Sequence, residues 1–186
     1  MGHSRGGGDS LTRGEEARER AAKVQLAKER TIADGQVLKS KIGNLPVEVY
    51  GSTGDERTAA LNALKADLSA DCDASRSINQ AFGNRTEGGG LRPLAVILVD
   101  SGGEIGSFSV PGSNQIVVDH WEVGDIYDSA RPGGRYSYER ILAHELGHAA
   151  LGLHDDGPTY MNSVNQVENP IMRALAPKDY DDRMSY

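Results

Sequence analysis

Two histidines four residues apart, His144 and His148, with Glu145 directly after the first, form the pattern His-Glu-x-x-His. On an α-helix, side chains at i and i+4 stand one turn apart on the same face. Both rings can therefore reach one metal ion, with Glu145 beside them as a base for a water on that ion. Bound zinc lowers the pKa of such a water to about 7, so the chemistry these residue types suggest is hydrolysis. The competing interpretation is a buried structural helix whose two imidazoles are satisfied by hydrogen bonds.

The flanking sequence suits a helix that carries such a site. Ser137 is a candidate N-cap, and Tyr138 to Ala143 contains neither Gly nor Pro. Ile141, Leu142, Leu146, Ala149 and Ala150 recur at helical spacing, on a face distinct from the histidines. Gly147 inside the helix costs roughly 1 kcal/mol relative to Ala, which predicts that something approaches its backbone closely. Gly152 should end the helix.

A catalytic zinc usually keeps three protein ligands and one open position. Two candidates compete for the third place. His154 lies ten residues after His144, where metzincins place their third histidine. The metzincin glycine, seven residues after the first histidine, is here Leu151, and Gly152 comes one place late. Asp155 and Asp156 are further oxygen donors beside it. Glu168, twenty residues after His148, has a separation compatible with gluzincins. It precedes Asn169 to Leu175, which reads as a short helix with Pro170 in its first turn. Met172 is a candidate for a methionine beneath the metal, against the plainer reading of a core side chain.

The segment Ile141 to Ala149, followed by Glu168-Asn169, Arg173 and the closing Arg183-Met184-Ser185-Tyr186, resembles the NleD-type effector metallopeptidases. The resemblance covers about the last fifty residues, and upstream it is only a general order of elements. It implies a zincin domain of a bacterial effector or toxin that acts on a protein in a target cell. It also implies that Glu168 is preferred over His154 as third ligand. Within that reading Glu145 is the catalytic base, Zn2+ the cofactor and a protein or peptide the substrate. Tyr186 is the first candidate to steady the oxyanion, with Arg173 and Tyr160 behind it. A cognate immunity or inhibitor protein is a candidate partner. Another zinc-dependent amide hydrolase, or a non-catalytic zincin-like binding module, would carry many of the same marks; the module would be expected to lack Glu145.

Composition narrows the classes. The 186 residues suffice for one domain with a real core. Up to Ile42 there are nine Lys/Arg against six Asp/Glu, and beyond it 11 against 21. That acidic catalytic half shows no basic stripe for nucleic acid. The single cysteine, Cys72, excludes an internal disulfide and reads as a small, partly buried apolar residue. No apolar run approaches the roughly 20 residues of a membrane span. These features point to a soluble chain with no membrane or nucleic-acid partner; the resemblance implies that it is secreted or injected to act in the cytoplasm of a target cell.

Along the chain, residues 1–13 read as a flexible leader, with no role assigned to His3. Residues 14–42 read as a helical N-terminal segment and 43–186 as the zincin-like catalytic domain. Within the latter, Leu45 to Tyr50 alternates like a strand, and Thr58 to Leu68 has helical spacing. Leu94 to Val99 is a continuous apolar run expected at the centre of a sheet. Ile105 to Val110 and Gln115 to Asp119 should be short strands joined at Pro111 to Asn114. Gln115 to Asp119 is the candidate edge strand for an extended peptide, with an interior strand as the alternative. His120 and Trp121 read as surface or packing residues. The expected class is α+β: a small mixed sheet backing the His-Glu-x-x-His helix.

Overall fold

The computed structural model describes residues 22, 25–26, 36–51, 53–103, 105–125, 136–155 and 161–176. The leader, most of the proposed N-terminal helix, Asp156, Tyr160 and the closing Arg183 to Tyr186 lie outside them. Ala22, Gln25 and Leu26 are helical.

A five-stranded mixed sheet forms the frame, making the chain an α+β protein as expected. Its strands are β1 (Val37–Ile42), β2 (Leu45–Tyr50), β5 (Leu94–Val99), β6 (Phe108–Ser109) and β7 (Gln115–Asp119). They run in the order β1-β2-β5-β7-β6. A two-residue turn at Gly43-Asn44 pairs β1 antiparallel with β2, Ile42 facing Leu45. Residues 37–42 were expected to belong to the helical lead, but they form a strand. Val37, Lys39 and Lys41 alternate with Leu38, Ser40 and Ile42, and the turn folds them back onto β2.

Two helices, α1 (Gly54–Ser69) and α2 (Asp73–Gly83), carry the chain from β2 to its parallel neighbour β5. α1 starts with a capping box, in which Thr53 accepts from the Glu56 amide and the Glu56 carboxylate accepts from the Thr53 amide. Cys72 sits at the N-cap of α2, half-buried, its Sγ 3.3 Å from Ser75 Oγ. A two-stranded ribbon follows, of β3 (Thr86–Glu87) and β4 (Gly90–Leu91).

β5 lies at the centre of the sheet, buried along nearly its whole length. β7 pairs with β5 on one side and β6 on the other. The expectation of β7 as the free edge is therefore corrected: its Ile116, Val117 and Val118 are fully apolar and demand cover on both faces. Among the described residues the edge on this side is β6, limited to two residues between Gly106, which adopts positive φ, and the Pro111-Gly112 turn.

Alternation along the strands sends Val47, Val49, Val96, Leu98, Ile116 and Val118 to the helical face. Tyr50, Ala95, Ile97 and Val117 form a smaller cluster on the opposite face. The helix α3 (Tyr138–Leu151) lies across α1, α2 and the β6–β7 side of the sheet. Among the described residues no helix is long and apolar enough to cross a membrane.

Candidate metal centre

α3 begins where the sequence predicts. Ser137 accepts a hydrogen bond from the Arg140 amide, and the helix closes at Gly152, whose φ of 66° suits a residue without a Cβ. Ile141, Leu142, Leu146, Ala149 and Ala150 are all buried; each large one contributes about 1.5–3 kcal/mol by leaving water. That apolar stripe fixes the rotation of the helix and turns the histidines toward a different side. Arg85 holds the C-terminal end, donating to the carbonyls of Ala149 and Ala150 at 3.0 and 2.8 Å and to Ser113 O at 2.7 Å. At the sheet side, Ser109 of β6 donates to the Glu145 carbonyl at 2.9 Å.

The two imidazoles converge. Their Nε2 atoms are 3.1 Å apart, with the rings edge-to-face at 78°. Nδ1 of His148 is 2.7 Å from the Leu153 carbonyl. A carbonyl can only accept, so Nδ1 carries a proton, and in the neutral ring Nε2 is left with the lone pair. Nδ1 of His144 faces Glu168 Oε2 at 3.2 Å, an ion-pair distance without hydrogen-bond geometry. Asp155 Oδ2 completes the group, 3.4 Å from Nε2 of His144 and 3.3 Å from Nε2 of His148.

Two ring nitrogens and one carboxylate oxygen thus form a nearly equilateral triangle. Tetrahedral coordination with bonds of about 2.0–2.1 Å separates ligands by about 3.3–3.4 Å. A metal ion, or a proton on one ring nitrogen, would relieve the repulsion between their lone pairs. The same crowding acts on protons: burial disfavours a charged His148, yet Asp155, Glu145 and the Leu153 carbonyl outweigh it and lift its pKa to about 9.

His144, Glu145 and His148 form a group that could hold a metal ion, each with a ligand atom within 4.8 Å of the others. Glu145 is 5% exposed, and its Oε2 has no hydrogen-bond partner. A buried carboxylate oxygen left this way is costly, and the Glu145 carboxylate places an oxygen within 4.8 Å of the convergent nitrogens.

The other anticipated residues fall elsewhere. Glu168 is fully buried, but its carboxylate meets Nδ1 of His144, the far side of the ring from Nε2, and Arg140 Nη1 at 2.8 Å. His154 is exposed and stands outside the cluster. Arg173 is exposed and Met172 half-buried on the last helix. His120 bonds through Nδ1 to the Tyr138 hydroxyl at 2.9 Å, and Trp121 is 59% exposed. Tyr160 and Tyr186 lie outside the described residues.

Two residues beyond the sequence-based set organise the centre. Asp155 appeared there only as an additional oxygen donor, although the sequence held a clue to it. In the metzincin spacing the ligand follows the glycine by three, and three residues after the late Gly152 is Asp155. Ser163 is the second. Its amide donates to Asp155 Oδ1 at 2.7 Å, and its hydroxyl donates to the His144 carbonyl at 2.5 Å. The hydroxyl lies where a Cβ on Gly147 would have to go, which accounts for a glycine inside this helix. Met161, two residues earlier, holds a φ of 61°, a backbone strain found where geometry is over-determined.

No family model, curated protein or solved structure gives a significant match to the chain.

Proposed function

We propose that the chain is a zinc-dependent endopeptidase with His144, His148 and Asp155 as metal ligands and Glu145 as general base. The observation that carries this reading is the triangle of two Nε2 atoms and one carboxylate oxygen, 3.1–3.4 Å on a side. Two imidazoles and a carboxylate suit a borderline divalent ion, and a three-ligand set leaves a coordination position open. Zinc in such a site supplies a water of lowered pKa and polarises a carbonyl oxygen. Glu145 takes the proton at its unpartnered Oε2 and returns it to the leaving amine. Asp155, tied to the Ser163 amide, is held on the histidines' side of the cluster.

A zincin-type arrangement is supported by the sheet behind α3, with the short edge strand β6 tied to the Glu145 carbonyl. A half-buried edge strand beside the site favours an extended peptide over a small substrate. The similarity of the C-terminal fifty residues to NleD-type peptidases favours an effector or toxin, secreted or injected, that acts on a protein in a target cell.

The test is zinc content and peptide hydrolysis of the purified chain. Glu145→Gln should keep its zinc and lose about 10²–10⁴-fold in turnover, whereas Asp155→Ala should lose the metal. Wild-type turnover in Glu145→Gln, or zinc retained at full occupancy and affinity in Asp155→Ala, would overturn the assignment.

A further inference from the structure

A buried ion pair stands directly behind the centre. Arg140, one turn before His144 on α3, is 4% exposed, and its guanidinium meets Glu168, 0% exposed, at 2.8 Å. The second carboxylate oxygen of Glu168 lies 3.2 Å from Nδ1 of His144, near enough for that ring to donate to it after a small rotation, although the contact does not have hydrogen-bond geometry here. Glu168 reaches this place from an unusual backbone. Val164–Glu168 is a π-helical turn running straight into α4 (Asn169–Leu175), and the Asn169 amide bonds back to the Val164 carbonyl. Pro170 explains the wide turn, because it has no amide to donate and its ring crowds the carbonyl four residues back. The expected helix with Pro170 in its first turn is thus the continuation of a longer helical stretch.

We infer that the Arg140–Glu168 pair is a positioning device for His144: Glu168 fixes the ring's tautomer and aim so that Nε2 faces the metal, and Arg140 compensates the buried carboxylate. This rests on the metal centre proposed above and reassigns Glu168 from coordinating the ion to orienting a residue that does. Outer carboxylates that accept from a metal-bound imidazole raise its basicity, and their loss typically weakens metal binding 10–100-fold. A pair serving only to tie α3 to the C-terminal helix would instead affect folding and leave affinity alone. Complete burial of both charges is expensive unless each is matched. Placing the anion against a ligand ring gives that expense a use.

The experiment measures metal dissociation constants by chelator competition and the cobalt(II) absorption spectrum, with melting curves to verify folding. It compares wild type, Glu168→Gln and the double variant Arg140→Met/Glu168→Gln. The double variant removes both charges, so no unpaired guanidinium is left in the interior. Both variants should bind metal 10–100-fold more weakly while the cobalt spectrum keeps its shape. Affinity within twofold of wild type in a folded variant would reduce the pair to a structural tie. A changed cobalt spectrum would show Glu168 to be a ligand itself. Wild-type protein that binds metal yet cleaves no peptide would end the peptidase reading while leaving this inference intact.

Discussion

Glu168 and Asp67 are equally buried, both at 0% exposure, and their surroundings could hardly differ more. Glu168 meets a guanidinium on one oxygen and an imidazole on the other. Asp67, on α1, has no partner for either carboxylate oxygen among the described residues. Burial first, then the charges of Glu139 and Cys72, push its pKa well above 3.8. One interior acid is thus held by matched charges, and the other is held by the removal of its own. The difference shows where this fold has spent stability on purpose: charge is retained next to α3's histidines and suppressed a helix away.

The sharpest way to break the site half of that contrast is Gly147→Ala. An added Cβ collides with the Ser163 hydroxyl, which holds the His144 carbonyl, while the Ser163 amide holds Asp155. Overpacking typically costs about 1–3 kcal/mol, against roughly 1 kcal/mol gained from helix propensity. We expect a lower melting temperature together with metal affinity reduced more than tenfold. A variant more stable than wild type with unchanged affinity would mean that Ser163 does not govern the centre.

The other half is sharpened by Asp67→Asn. Because the folded-state pKa is raised, the native chain keeps a proton that the unfolded chain releases as pH climbs past about 3.8. Stability should therefore fall with rising pH, by at most about 1.4 kcal/mol per unit, until the folded pKa is reached. The amide introduced by the substitution does not titrate. The variant should match wild type near pH 3 and exceed it at neutral pH by about 1–3 kcal/mol, read from denaturant midpoints. Parallel pH profiles for the two proteins would show that burial leaves the Asp67 pKa unshifted, and a wild type that gains on the variant as pH rises would show that its charge is stabilised.

Much of the site helix was legible beforehand because its signals are local. Ser137, Gly152 and the apolar stripe act within a turn or two of themselves, and Gly147 announced a close neighbour without naming it. Leu94 to Val99 was equally plain, since an unbroken apolar run needs cover on both faces. Partners distant in sequence were not legible. Nothing near Glu168 reveals that Arg140, 28 residues earlier, will meet its carboxylate. Nor does Ser163 betray its two bonds to the centre. The order of β6 and β7 was hidden for a related reason: edge and interior are properties of the whole sheet, whereas Gln115 to Asp119 records only its own pattern. The strand at 37–42 was missed differently, its two lysines blending with the charged run before it.

The finest distinction concerns adjacent residues. His154 has the more familiar ligand side chain, and its distance from His144 fits a known spacing, yet it is exposed while Asp155 turns inward. The left-handed turn at Gly152 is one residue later than that spacing assumes, so the position returning toward the histidines shifts by one as well. His154→Ala should therefore leave metal affinity within about twofold and stability within about 0.5 kcal/mol, the range of ordinary surface changes. Chelator competition and a melting curve read both quantities. A loss of affinity as large as that of Asp155→Ala would place the imidazole, and not the neighbouring carboxylate, at the third corner of the triangle.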